Sequence, residues 1–140
     1  MRPKKIILCV DDNEQELSIL KFMLITHGYR VVAATSAQEA LALFSELQVD
    51  LVLADFEMPQ MNGRQLVERL KAIAGHVPMI LLGNPQRMAG EPHAADALFG
   101  KKTTSPHELL DRIKAMSARK RGPRKGTVRM APQIELAAAS

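Results

Sequence analysis

Cysteine is nearly absent from this 140-residue chain. Cys9 stands alone, so neither an internal disulfide nor a cysteine-based metal site can form. Long apolar runs are absent too. None exceeds the five residues of Ile6 to Val10, against the ~20 that a membrane-spanning helix needs, and no membrane association is expected. The basic start Met1-Arg2-Pro3-Lys4-Lys5 leads into an apolar stretch that stops at Asp11-Asp12. A signal peptide needs a longer apolar region and a small-residue cleavage site, so the expected compartment is the cytoplasm. No glycine-rich phosphate loop of the nucleotide-binding kinds occurs. His27, His76, His93 and His107 fall on separate segments without ligand spacing. What remains is an ordinary globular mix, 46% hydrophobic and 24% charged, of one-domain length.

The formal net charge of +4 is unevenly placed. Residues 118–140 hold six bases and one acid, a net of +5, which leaves 13 bases and 14 acids, a net of −1, on residues 1–117. The overall basicity therefore belongs to a tail and says nothing about the domain. A boundary is expected near residue 118, with a folded domain over 1–118 and a tail over 119–140. The tail is rich in Arg and Lys, then in Ala and Pro, and offers little apolar surface to offset chain entropy, so it is expected to be mobile. It has no aromatic residues for base stacking; any nucleic-acid contact it makes should be weak and salt-sensitive.

Within the domain, short apolar runs alternate with helical periodicity. Strands are expected at Lys5–Val10, Arg30–Thr35, Asp50–Ala54, Pro78–Leu82 and Ala97–Lys101. The intervening segments read as helices. Residues 14–27 space Leu17, Leu20 and Leu24 on one face before Gly28, and a capping box at Ser36 and Glu39 opens a helix that presents Ala40, Leu43, Phe44 and Leu47. Asn62 is an expected N-cap for a helix burying Leu66, Leu70 and Ile73, and Ser105-Pro106-His107-Glu108 opens a last helix to about Ala118. Between residues 83 and 96, Gly83, Pro85, Gly90 and Pro92 interrupt the pattern, so the fourth helix is expected to be short or irregular. Strand–helix repetition with continuously apolar strands implies an α/β fold, a doubly wound parallel sheet covered on both faces.

Ligands of such sheets bind beyond the carboxyl ends of the strands. The first strand ends in Asp11-Asp12, the third in Asp55, the fourth in Gly83-Asn84, and the fifth is followed by Lys101-Lys102. Three carboxylates crowded together disfavour full ionisation unless a cation neutralises them, and an oxygen-only set suits Mg²⁺. With a lysine opposite, the constellation is built to receive a phosphoryl group on one carboxylate.

These residues carry a family resemblance. Ile7-Leu8-Cys9-Val10-Asp11-Asp12-Asn13, the run Asp50 to Gly63 with its Asp-Phe-Glu-Met-Pro-Gln-Met-Asn-Gly core, Pro78 to Leu82, and Phe99-Gly100-Lys101-Lys102 resemble the receiver domain of bacterial two-component response regulators over roughly residues 4–117. The resemblance implies a flavodoxin-like five-stranded sheet of order 2-1-3-4-5. It implies Asp55 as phosphoacceptor, and Asp11, Asp12 and Asp55 with the backbone carbonyl of Glu57 as Mg²⁺ ligands. It further implies Lys102 as the phosphoryl-contacting lysine, its neighbour Lys101 being solvated, and Phe99, three residues earlier, as a possible aromatic switch. Such a protein is a phospho-accepting switch and not an enzyme beyond self-phosphorylation and self-dephosphorylation at Asp55. Its expected partners are a histidine kinase or phosphotransfer protein upstream and an unidentified protein downstream.

Two positions depart from the family. Gly83 stands where a Ser or Thr hydroxyl usually bonds the phosphoryl group, and Thr103 follows Lys102 where Pro is usual. A missing hydroxyl predicts weak coupling between Asp55 and the segment 84–96, which Gly83→Thr should strengthen if the backbone accepts it. The alternative reading is a phosphorylation-insensitive interaction module on the same scaffold.

Overall fold

The structure, a computed structural model, describes residues 4–118; the tail expected to be mobile, residues 119–140, lies outside the described residues. Strands β1 (Ile6–Val10), β2 (Arg30–Ala34), β3 (Leu51–Asp55), β4 (Met79–Gly83) and β5 (Ala97–Gly100) form one parallel sheet of order β2-β1-β3-β4-β5. Helices α1 (Glu14–Thr26), α2 (Ala37–Glu46), α3 (Gly63–Ile73), α4 (Pro85–Met88) and α5 (Pro106–Ser117) connect and cover it. The expected architecture is the one found, including a fourth helix of a single turn.

Side chains alternate across the sheet even though both faces are apolar. Ile7, Cys9, Leu51, Leu53, Ile80, Leu82, Ala97 and Phe99 pack with Leu17 and Leu24 of α1 and Leu109, Ile113 and Met116 of α5. Leu8, Val10, Val52, Ala54, Met79, Leu81 and Leu98 pack on the other face with Ala40 and Phe44 of α2, Leu66, Val67 and Leu70 of α3, and Met88 of α4. The core is thus two layers divided by the strands, and the phase of each strand decides which layer a residue enters. The helix ends of the apolar patterns fall outside both layers: Ile73 and Leu47, expected to be buried, are exposed because they lie at or past the last turns of α3 and α2.

Local signals set the helix starts. The Asn62 side chain accepts from the Gln65 N–H, and Gln65 accepts in return from the Asn62 N–H, closing a capping box on α3. Ser105 and Glu108 do the same for α5. At α2 only half the expected box forms: Ser36 accepts from Glu39 N–H, while the Glu39 carboxylate accepts instead from the N–H and hydroxyl of Thr35.

The amino-end rim of the sheet is pinned by polar groups. Asp50 accepts from the Ile6 N–H at 2.7 Å. Asp96 accepts from the Met79 N–H at 2.8 Å and pairs with Lys71 at 2.7 Å. The same Lys71 ammonium donates to the carbonyls of Val77 and Gly75. These contacts tie the starts of the strands together and leave the opposite rim to the site.

Candidate functional site

The phase that builds the core also builds the carboxyl-end rim. Asp11 follows Ile7 and Cys9 in alternation, Asp55 follows Leu51 and Leu53, and Lys101 follows Ala97 and Phe99. The ladder continues one step past each strand: Asp11 N–H donates to Ala34 O at 3.1 Å and Lys101 N–H to Gly83 O at 2.8 Å. All three side chains therefore leave the sheet on the α1 and α5 side and converge. Lys101 Nζ lies 2.9 Å from Asp11 Oδ2, 3.1 Å from Asp55 Oδ2 and 2.6 Å from Glu16 Oε1. Asp11 Oδ1 accepts from the Asn13 N–H and Asp55 Oδ1 from the Glu57 N–H.

This geometry corrects the lysine assignment. Lys101, expected to be solvated, is the lysine of the site; Lys102 is exposed and makes none of these contacts. One residue along a strand turns a side chain to the other face, and Lys102 is out of phase with Asp11 and Asp55. The alternation of Ala97, Phe99 and Lys101 against Leu51, Leu53 and Asp55 was the available signal. The spacing that singled out Phe99 shifts with it: three residues before Lys101 stands Leu98, which faces the α3 and α4 layer, whereas Phe99 faces α5 with the Arg112 guanidinium 5.2 Å from its ring centroid. Glu16, which the sequence reading passed over, joins the site because Asn13 caps α1 and puts Glu16 in the first turn beside the rim.

Charge is unbalanced here. Asp11 and Asp55 are buried while Asp12 is exposed, and the three offer carboxylate oxygens within 4.8 Å of one another. Burial pushes the Asp55 carboxyl up from its usual 3.8 to about 6, with the Asp11 charge adding to the rise and Lys101 opposing it. For Lys101, burial pulls the ammonium down, but hydrogen bonds to Glu16, Asp11 and Asp55 outweigh it and hold the group well above its usual range. Burial likewise raises the Cys9 thiol, helped by Asp11, so it stays a neutral core side chain. An oxygen-only set of three convergent carboxylates is the donor chemistry Mg²⁺ takes, and the residues present fit it.

Close approaches fix the rest of the rim. A Cβ on Gly63 would fall against the Asp55 carbonyl oxygen, so glycine lets the start of α3 lie directly on the strand that carries Asp55. A Cβ on Gly83 would stand 2.7 Å from Phe56 Cβ and 3.3 Å from Met88 Sδ. The place of the usual hydroxyl residue is thus already filled from both sides, so the condition set on Gly83→Thr, that the backbone accept it, is not met without a shift of Phe56. Across the mouth, Arg87 on α4 pairs with the Glu57 carboxylate at 2.7 Å.

Comparison with known proteins places this geometry. The response regulator receiver domain family matches residues 7–114. The two-component response regulator PprB of Pseudomonas aeruginosa is 34% identical over 122 residues, covering 81% of this chain and 44% of that protein. Response regulator SaeR of Staphylococcus aureus is 32% identical over 117 residues, covering 81% of this chain and 50% of that protein. The chain thus spans half or less of the length of either relative. Among solved structures, response regulator protein TrrA from Thermotoga maritima, crystallised in complex with Mg²⁺-BeF, matches with a TM-score of 0.75 at 30% identity, covering 80% of this chain and 98% of that one. A CheY-like receiver domain protein from Methanospirillum hungatei matches at 0.72 and 28%, covering 82% and 94%.

Proposed function

The chain belongs to the receiver-domain family of two-component response regulators, and from that premise we propose that it is a signalling switch whose phosphoacceptor is Asp55. The observation that carries the assignment is the bond from Lys101 Nζ to both Asp55 and Asp11 at the strand ends. An Asp55 carboxylate oxygen attacks the phosphorus of a phosphohistidine on a histidine kinase or phosphotransfer protein. The phosphorus–nitrogen bond breaks, its electron pair returns to the imidazole, which takes up a proton, and an acyl phosphate remains on Asp55.

Asp11, Asp12, Asp55 and the Glu57 backbone carbonyl would hold Mg²⁺, which when bound supplies positive charge against the phosphoryl oxygens. Lys101 offers its ammonium to a phosphoryl oxygen as Asp55 gives up its ionic partnership, and Asp11 and Glu16 keep that ammonium at the rim. Asp55 is buried at the end of β3, which limits water at the acyl phosphate and so slows hydrolysis. The family is one of switches and not of catalytic enzymes; self-phosphorylation from a small phosphodonor and slow self-dephosphorylation are the only chemistry proposed. The protein works in the cytoplasm and passes its state to a downstream protein by contact. Among the described residues no helix is long and apolar enough to cross a membrane. The complete acidic trio with Lys101 does not favour the alternative of a phosphorylation-insensitive module.

Incubation with acetyl phosphate and Mg²⁺ should add one phosphoryl mass to the intact protein. Asp55→Ala should remove the gain and Asp12→Ala should raise the Mg²⁺ concentration needed. A folded wild type that never gains the mass, with this donor or with any kinase, overturns the reading.

A further inference from the structure

A phosphoryl group on Asp55 presents three oxygens. A metal and Lys101 would take two, and Gly83, which lines the same cleft, has no side chain to offer the third. Adding one is obstructed, since Phe56 and Met88 occupy the space a Cβ would need. Yet the mouth of the site holds a cation that the family pattern does not explain. Arg87 extends from the single turn of α4, and its guanidinium lies 2.7 Å from Glu57, two residues after Asp55. One cleft is lined by Asp12, Asp55, Glu57, Gly83 and Lys101, and the adjoining one by Asp12, Phe56, Glu57 and Arg87. Asp12 and Glu57 border both, so Arg87 stands at the edge of the space a phosphoryl group would enter.

We propose that Arg87 replaces the missing hydroxyl as the reader of the phosphoryl group: it leaves Glu57 when Asp55 is phosphorylated and donates to the third phosphoryl oxygen. This rests on Asp55 being the acceptor. The energetics favour the exchange. The Arg87 and Glu57 side chains are 68% and 46% exposed, and an ion pair so exposed holds weakly. A guanidinium on a phosphoryl dianion makes charge-assisted, often paired hydrogen bonds that are roughly twice as strong as neutral ones. Glu57 acts as a parking site, keeping Arg87 near the rim without letting it neutralise Asp55. Because Arg87 is carried on α4, its transfer moves the start of the segment that follows β4. The route from phosphorylation to the surface then runs through a side chain of α4 and not through the end of β4.

The test uses the whole chain with Mg²⁺ and beryllofluoride as the phosphoryl mimic. Calorimetry should give an affinity about tenfold weaker for Arg87→Ala, since one hydrogen bond to a charged group is lost. Arg87→Lys, which keeps the charge without the fork, should recover part of it. Glu57→Gln, which releases Arg87 beforehand, should bind the mimic about threefold more tightly. In nitrogen-15 spectra the Arg87 Nε–H signal, identified by its loss in Arg87→Lys, should shift on mimic binding. Wild-type binding with an unmoved Arg87 signal, or an Arg87→Ala affinity within twofold of wild type, overturns the proposal and leaves Asp55 as acceptor intact. A tenfold loss in Lys102→Ala with none in Arg87→Ala assigns the third oxygen to Lys102 and overturns it equally. Failure of folded wild type to bind the mimic at all removes both readings.

Discussion

The two rims of the sheet carry the same chemistry to opposite ends. At the amino end, Lys71 meets one carboxylate, Asp96, and completes its bonding with the carbonyls of Val77 and Gly75, while Asp96 also accepts from the Met79 N–H. Within this pair the charges match and the donors find acceptors. At the carboxyl end, Lys101 is shared among Asp11, Asp55 and Glu16, with Asp12 close by. One cation faces four carboxylates, two of them buried aspartates. A balanced pair holds strands together; an unbalanced cluster holds a demand for positive charge that a metal ion satisfies. The difference separates a structural lysine–aspartate pair from one poised for chemistry.

The largest expected effect comes from removing the shared cation. Lys101→Met should slow phosphoryl transfer from acetyl phosphate about 10²-fold, the usual cost of deleting one stabiliser of a developing anionic charge. Intact mass against time measures it, and an unchanged rate would return the role to Lys102. At the amino-end pair, Lys71→Met should leave that rate unchanged but cost about 2 kcal/mol of stability in urea unfolding, because the Val77 carbonyl and Asp96 lose a half-buried partner. A fall in phosphorylation with stability retained would erase the contrast between the rims.

Gly83→Thr should cost roughly 1–3 kcal/mol, since the added Cβ meets Phe56 Cβ and not a yielding side-chain end. Equal stability would mean that Phe56, just past β3, shifts easily.

Asp55→Asn should act in the opposite direction. With its carboxyl raised to about 6, Asp55 binds its proton more tightly in the folded protein than in the unfolded chain. Its contribution is fully present below about pH 4 and is lost as pH rises through about 6. Asn at this position should therefore stabilise the metal-free domain at pH 7 by about 1–2 kcal/mol, after discounting for solvent contact, and by little at pH 4. Thermal melts of both proteins in chelator across that range give the difference; a constant offset with pH would contradict it. The smallest effect belongs to Lys102→Ala, expected within about 0.5 kcal/mol of wild type, as for other exposed side chains without partners.

Much of this could be read along the chain. Strand and helix order, the short fourth helix, the caps at Asn62 and Ser105, and Asp11, Asp12 and Asp55 at strand ends all follow from local pattern, because periodicity, turn residues and capping act over a few residues. The same locality explains the misses. Ile73 and Leu47 fit helical periodicity, but a helix end that overhangs the sheet has nothing to pack against. Glu39 sits at the right distance from Ser36, yet the chain entering α2 brings the Thr35 N–H and hydroxyl within reach first.

The sequence by itself determined the elements, their order and the presence of an acidic cluster facing a lysine. Tertiary structure decided which lysine. Lys101 and Lys102 are chemically alike and adjacent; only the strand phase, carried one step past β5 by the bond from Lys101 N–H to Gly83 O, turns one into the cluster and the other to solvent. Tertiary structure also filled the space beside Gly83 with Phe56 and Met88 and brought Arg87 to Glu57, thirty residues away in the chain. These are contacts between segments that no local pattern specifies, since they depend on how closely α4 settles on the sheet.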